Sequence, residues 1–260
     1  MTYTNFDRVA YIYDKTRSIP SEILTSFREK ILNFLSKYEY KPPYNFLSIG
    51  VGTGRVESTI VSKRNQLFGI DISNLMLKEL KKKRTETPIF LAIADGCSIP
   101  FRNSFHMVIA IHVVQLIKNY KKLIKEIENI SQFAVIGDAF VDSYVHPLFQ
   151  RYKSELEKLG WKKRHEGLFS DEFAGYLSSE GYLIEKDEIF FPTTISNSAI
   201  YNSLKQKQYS SQWKIPENLH NRTMKILQES IQNKEIRLEN DYLTNAYLLL
   251  YFVDLREKLH

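Results

Sequence analysis

The chain has 260 residues, 43% of them hydrophobic and 25% charged, enough to bury a full core as one domain. Its single cysteine, Cys97, excludes an internal disulfide framework and any cysteine-based zinc cluster, so no metal site is expected. The net charge of +6 is dispersed, and its densest run, KKKR at 81–84, reads as a solvated helix end rather than an anion-binding patch.

In chain order, MTYTNFDRVAYIYDKTR is mixed polar and aromatic, without the apolar core of a signal peptide, and predicts a short helix over VAYIYDKTR. Pro20-Ser21-Glu22 starts a longer helix with Ile23, Leu24, Phe27, Ile31, Phe34 and Leu35 on one face, broken by KPPYN. An alternation follows. NFLSIG is a strand, VESTIVSKR a short helix, QLFGID a strand, and SNLMLKELKKKR a helix with Ser73 as N-cap. PIFLAIADG and SFHMVIAIHV are strands, NYKKLIKEIENI a helix, and QFAVIGDAF the fifth strand. Beyond residue 140 the rhythm changes: PLFQRYKSELEKLG and SDEFAGYLSSEG are helical, YLIEKDEIFFPTT is a strand, SNSAIYNSLKQKQY and ENLHNRTMKILQESIQ are helical, and NAYLLLYFVDL is a last strand. No run approaches the roughly eighteen apolar residues of a membrane span, and a cytoplasmic location is expected.

Apolar strands separated by helices indicate an α/β fold: a Rossmann-like, mostly parallel seven-stranded sheet with helices on both faces, N-terminal helices before it and a helical cap in the C-terminal half. The expected organisation is a single domain over 1–260, with N-terminal helices in 1–40, a cofactor-binding core in 41–140, cap helices and a strand in 141–240, and the last strand in 241–260.

FLSIGVGTGR places Gly50, Gly52 and Gly54 on alternate positions straight after the first strand. Such a loop can be a tight turn and nothing more; two acidic residues give it chemistry. Asp71 ends the second strand, where a carboxylate can accept both hydroxyls of a ribose. Asp95 ends the third, within reach of an adenine amino group, with the N–H of Gly96 or Cys97 facing a ring nitrogen. Ligands of open α/β sheets bind outside these carboxyl ends, so the loop and the two acids converge on an adenosine-shaped site. A nicotinamide dinucleotide and S-adenosylmethionine both contain adenosine. The G-x-G-x-G spacing, followed by Arg55, departs from the G-x-G-x-x-G of dinucleotide loops.

With these residues in place, the chain resembles the class I S-adenosylmethionine-dependent methyltransferases, in particular the small-molecule type related to ubiquinone- and biotin-pathway enzymes. FDRVAYIYDKTR is similar to that group's opening pattern, SIGVGTGR to its first motif, GIDIS to its second, ADGCSIPF to its third-strand motif, and SFHMVIAIHVVQLIKN to its fourth. YSSQWKIPENL is more loosely similar to a cap segment. The resemblance implies S-adenosylmethionine as cofactor, held by Gly50, Gly52, Gly54, Asp71, Ile72, Asp95 and Gly96. It further implies that Tyr13 faces the methyl or carboxylate and that Arg17 pairs with the cofactor carboxylate. His112, just past the fourth strand, borders the point where the methyl emerges and is the candidate base; Gln115 stands where relatives often carry a second histidine. Three departures stand out: Ser48 replaces an acid that helps hold the methionine ammonium, His106 stands where Asp is usual, and ENISQ replaces a Pro-Gly-Gly turn. Tyr209 and Trp213 are candidates for an aromatic substrate pocket, His146 and His165 read as loop or surface residues, and Cys97 as a small pocket-wall residue.

The expected function is methyl transfer to a small-molecule acceptor by in-line displacement. Two competing readings remain. An NAD(P)-dependent oxidoreductase is disfavoured by the glycine spacing, by Asp95 and by the lack of a Tyr-x-x-x-Lys pair. An RNA-associated methyltransferase or RNA binder is prompted by the charge, but the chain reads AIHV where an N/D-P-P-Y/F motif would stand, so a nucleic-acid partner is not expected.

Overall fold

Alternating strands and amphipathic helices fold as the periodicity predicts. The computed structural model describes residues 6–83, 87–102, 104–161 and 167–258. A 3-10 helix (Asp7–Ile12) runs into α1 (Tyr13–Thr16) and α2 (Ser21–Lys37), followed by β1 (Tyr44–Ile49), a 3-10 turn (Glu57–Ile60), β2 (Asn65–Asp71), α3 (Asn74–Lys81), β3 (Phe90–Ile93) and β4 (Met107–Ile111). Then come α4 (Tyr120–Glu128), β5 (Phe133–Val141), α5 (Pro147–Lys158), α6 (Ser170–Ser179), β6 (Tyr182–Ser196), α7 (Asn197–Lys205), α8 (Glu217–Gln232) and β7 (Asp241–Lys258).

The strands form one seven-stranded sheet in the order β3-β2-β1-β4-β5-β7-β6. β1 to β5 are mutually parallel, and β7 runs antiparallel to both β5 and β6. The mostly parallel seven-stranded sheet expected from the sequence is therefore observed. Strand order reverses between β1 and β4, and ligands of open α/β sheets bind beyond the carboxyl ends of the strands at such a switch point.

Because both faces are covered, the central strands are buried and mostly apolar: all of β4 and all of β1 except Asn45 are buried. On one face α2 lays Ile23, Phe27, Ile31, Phe34 and Leu35 against Phe46, Leu67, Ile109, Phe133 and Phe252. On the other, Leu123, Ile124 and Ile127 of α4 and Phe173 and Leu177 of α6 cover Leu47, Val108, Ala134 and Ile136. A third cluster lies outside the sheet, where Leu148, Phe149, Tyr152 and Leu156 of α5 meet Ile200 and Leu204 of α7 and Met224 and Leu227 of α8. These three helices are the cap. Among the described residues, no helix is long and apolar enough to cross a membrane.

Several local expectations change. The short helix over VAYIYDKTR is half 3-10, and VESTIVSKR keeps only one 3-10 turn, since β-branched Val56, Thr59, Ile60 and Val61 resist helical χ1. The last strand is longer than its apolar run because it is paired along both edges. His146 is not a surface residue: it is fully buried, and its Nδ1 caps α5 by accepting from the Leu148 N–H at 3.2 Å. In the KKKR run α3 ends at Lys81. Lys82 pairs with Glu79 and Lys83 with Asp14, each at 2.6 Å, so Lys83 ties α3 to the N-terminal segment instead of facing only water. Arg84 and His165 lie outside the described residues.

Candidate active site

Beyond β1 the chain turns on three left-handed residues: Gly50, Gly52 and Gly54 have φ of 66°, 54° and 63°. A Cβ on Gly50 would stand 2.4 Å from Val113 Cγ2, and one on Gly54 2.5 Å from Leu80 Cδ1. On Gly52 it would meet nothing closer than the Gly50 carbonyl at 3.9 Å. Gly50 and Gly52 line a pocket at the switch point; Gly54 does not, and serves the packing of the loop on α3.

Asp71 closes β2 beneath the loop. Its Oδ2 accepts from the Gly52 N–H at 2.9 Å and its Oδ1 from the Ser73 N–H at 2.8 Å. Burial nonetheless pushes its carboxyl above the ordinary range, the N–H donors opposing. A carboxylate oxygen can accept more than one hydrogen bond, so the Asp71 carboxylate, which lines the pocket, is held in place with accepting capacity to spare. Ser73 caps α3 as predicted, accepting from the Met76 N–H at 3.1 Å, and its hydroxyl donates to Asp7. Thr53 donates to Asp14 Oδ1 at 2.5 Å. These contacts, with the Lys83–Asp14 pair, seat the N-terminal segment over the glycine loop, so that Phe6 and Tyr13 form part of the pocket wall.

Of the residues expected at the cofactor, Gly50, Gly52, Asp71, Ile72, Asp95 and Gly96 line this one pocket, as do Tyr13 and His112. Asp95 lies two residues past β3, and its Oδ1 takes the Cys97 N–H at 2.8 Å, so that N–H is engaged within the turn. Cys97 is not on the pocket wall. It is buried with Leu123 and Ile124 under α4, its thiol donating to Asn119 O at 3.4 Å and raised by burial to about 11. Arg17 is displaced too. It lines the adjoining cavity, donates to Gln208 O at 2.7 Å, and its guanidinium lies 4.5 Å from the Tyr13 ring centre.

Two residues of the pocket were not singled out in the sequence. Arg55 donates to the carbonyl of Arg17, and its Nε is buried without a partner. Burial depresses its pKa. Glu57, on the following 3-10 turn, is 4% exposed, and burial pushes its carboxyl to about 7 against the pull of Arg55 and His112. Side chains two apart do not share a helix face, so R-V-E gave no hint that both would reach one pocket. The sequence signal available was Ser48, which stands where the resembled family often has an acid; it is fully buried with an unpartnered hydroxyl.

His112 follows β4 with a left-handed φ of 59°, an uncommon backbone for a residue with a side chain. Its Nδ1 is 2.8 Å from Asp138 Oδ1. Its Nε2 is 2.6 Å from the Ala139 carbonyl and 3.0 Å from the Ala139 N–H. Both ring nitrogens are thus occupied, and a base role requires Nε2 to leave Ala139. Gln115 donates to His112 O at 3.0 Å.

Tyr13, Arg55, His112 and Leu116 also line a second cavity of about 1300 Å³, enclosed by the sheet end, the N-terminal segment and the cap. From YSSQWKIPENL, Tyr209, Ser210, Ser211 and Lys214 reach it. Trp213 does not; it packs 4.9 Å from the Phe6 ring and donates to Lys207 O at 2.8 Å.

Residues 47–132 match the family model of the methyltransferase domain. Over that stretch the chain has the sequence pattern of a methyltransferase domain. SIGVGTGR, GIDIS and ADGCSIPF all fall inside the matched stretch, and the resemblance to class I S-adenosylmethionine-dependent methyltransferases is borne out. Among solved structures, the fold matches a protein of Anabaena variabilis designated a methyltransferase from an antibiotic biosynthesis pathway, at 15% identity and TM-score 0.59, over 90% of this chain and 98% of that one. It also matches one of Bacillus halodurans designated a methyltransferase, at 13% identity and TM-score 0.53, over 88% and 99%. A third is an S-adenosylmethionine-dependent methyltransferase of Thermotoga maritima, at 15% identity and TM-score 0.50, over 96% and 98%. Identities this low establish the fold alone. No curated protein matches the chain. The first pocket lies within reach of the matched stretch, and the second adjoins it through Tyr13 and His112.

Proposed function

We propose that the protein transfers a methyl group from S-adenosylmethionine to a small-molecule acceptor by in-line displacement. The observation that carries this reading is the Asp71 carboxylate, fixed by Gly52 and Ser73 N–H groups and facing the same pocket as Asp95. The residues present fit the cofactor. Gly52 leaves room beside the loop, Asp71 would accept from the ribose hydroxyls, and Asp95 and Gly96 would hold the adenine end. At the amino-acid end, the unpartnered Arg55 Nε suits a carboxylate, and the buried Glu57 suits the ammonium in place of the acid absent at Ser48.

S-adenosylmethionine, when bound, supplies an electrophilic methyl on a sulfonium and leaves as a neutral thioether. The protein's work is therefore alignment and exclusion of water, which can supply about 7–11 kcal/mol of a barrier. Tyr13 stands between the two cavities, braced by Phe6 at 6.0 Å and by the Arg17 guanidinium at 4.5 Å, and positions whatever approaches the methyl. Where the acceptor has a poorly acidic proton to lose, His112 takes it through Nε2, with Asp138 holding the ring from Nδ1.

Calorimetry with S-adenosylhomocysteine tests the reading. The wild type binds it in preference to NAD, and Asp71→Ala weakens it at least about tenfold, the worth of charged hydrogen bonds to two hydroxyls. Unchanged affinity in Asp71→Ala, or tight NAD binding without S-adenosylhomocysteine binding, overturns it.

A further inference from the structure

The second cavity has a chemical character of its own. Cations from three separate segments line it: Lys15 and Arg17 before α2, Arg55 after the glycine loop, and Lys214 from the cap. The acidic residue among its described lining is Asp138, and that carboxylate is engaged by His112 at 2.8 Å. Arg17 is half-buried, and among the described residues no carboxylate lies within ion-pair distance of it; its partners are Gln208 O at 2.7 Å, Thr16 Oγ1 at 3.2 Å and the Tyr13 ring.

Around this guanidinium the fold gathers hydroxyls. Tyr144 and Tyr209 both line the cavity, hydrogen-bonded to Ser211 and to Ser143 and Ser203 respectively. Burial raises both phenols while Arg17 draws both down, so the three groups share one electrostatic environment. The lining also includes apolar side chains, among them Phe140, Phe169 and Ile19.

We infer that the methyl acceptor is an amphipathic anion whose carboxylate or phosphate head is held by Arg17 together with the Tyr144 and Tyr209 hydroxyls. This inference rests on the methyltransferase reading and adds the acceptor class to it. Among the described residues, half-buried Arg17 has neutral partners only, which leaves its charge for a ligand, and the fork geometry of Arg matches an oxyanion with two parallel donors. A sulfonium bound next door adds positive charge to the same field, so a neutral acceptor leaves it uncompensated and an anion balances it. With the head at Arg17, whose guanidinium lies 4.5 Å from the Tyr13 ring, the acceptor is anchored beside the junction of the two cavities, and its apolar body is left to the Phe140 and Phe169 side of the larger one. Arg17 thereby changes partner, from the cofactor carboxylate expected by resemblance to the acceptor.

The test is calorimetric titration of the full chain saturated with S-adenosylhomocysteine, using naphthoate and naphthyl phosphate against the neutral naphthamide. At least one anion is expected to bind roughly tenfold or more tightly than the amide. Whichever anion binds better distinguishes a carboxylate from a phosphate head. Arg17→Gln abolishes the preference, Arg17→Lys restores part of it, and both keep wild-type S-adenosylhomocysteine affinity, which also shows that they are folded. Equal binding of amide and anions, absence of anion binding, or a preference that survives Arg17→Gln overturns the inference. Failure of the wild type to bind S-adenosylhomocysteine overturns instead the reading on which it rests.

Discussion

Glu57 is a carboxylate almost without water around it, and its titration follows from that. The unfolded chain ionises it near 4.5, while burial delays ionisation in the folded protein to about 7. Between these values the unfolded state holds fewer protons, so stability falls as pH rises through this window and the cost is complete above about 7. The shift corresponds to roughly 3 kcal/mol, at the level of an order of magnitude. A bound ammonium offsets the cost by favouring the ionised form. S-adenosylhomocysteine affinity should therefore rise from about pH 6 to about pH 8 in the wild type and stay flat in Glu57→Gln, as calorimetry at several pH values would show. An affinity that rises equally in both proteins would remove Glu57 from the ammonium site. Legibility at this scale is uneven. Gly50, Gly52, Asp71 and Asp95 are readable because each sits where a strand ends, a position set by local pattern. Arg55 and Glu57 are not, because they lie in the irregular chain between the glycine loop and the 3-10 turn that Glu57 begins, where no periodicity marks which side chains face the pocket.

At the scale of elements, α3 shows how one residue serves helix, loop and lid together. The Ser73 hydroxyl accepts from Met76 N–H and donates to Asp7, while its backbone N–H holds Asp71. Ser73→Ala removes the first two contacts and keeps the third. The expected loss is about 1 kcal/mol of stability, the usual worth of an N-cap, seen as a thermal midpoint lower by roughly 2–4 °C. Cofactor affinity should change far less than in Asp71→Ala, since the carboxylate keeps both its donors. Helices such as α2 and α4 were legible because a stripe of apolar residues at helical spacing buries itself against any sheet face presented to it. His146 was not, since nothing local marks a histidine after a loop as the buried cap of α5.

For the whole molecule, we propose that residues 1–260 fold as one domain. The cap is not hung on a linker: β6 leads straight into α7, and β7 returns from α8 into the centre of the sheet edge, pairing with β5 on one side and β6 on the other. Both tryptophans, Trp161 and Trp213, belong to the cap half, whereas far-ultraviolet circular dichroism reports the entire chain. The two signals should therefore lose their native values at the same denaturant concentration. A tryptophan transition that comes clearly first would divide the chain into two units.

By itself the sequence determined the alternation of strands and helices, the glycine loop after β1, and the placing of an acid at the end of β2 and another just past β3. Those features depend on neighbours within a few residues, where sterics, capping and side-chain period act. Only the tertiary structure decided where Arg17 points, that Arg55 and Glu57 join Asp71 in lining one pocket, and that both nitrogens of His112 are engaged. Arg17 meets Gln208 across 191 positions of sequence. No local periodicity carries that information, because it is the docking of the cap over the sheet that places the two together.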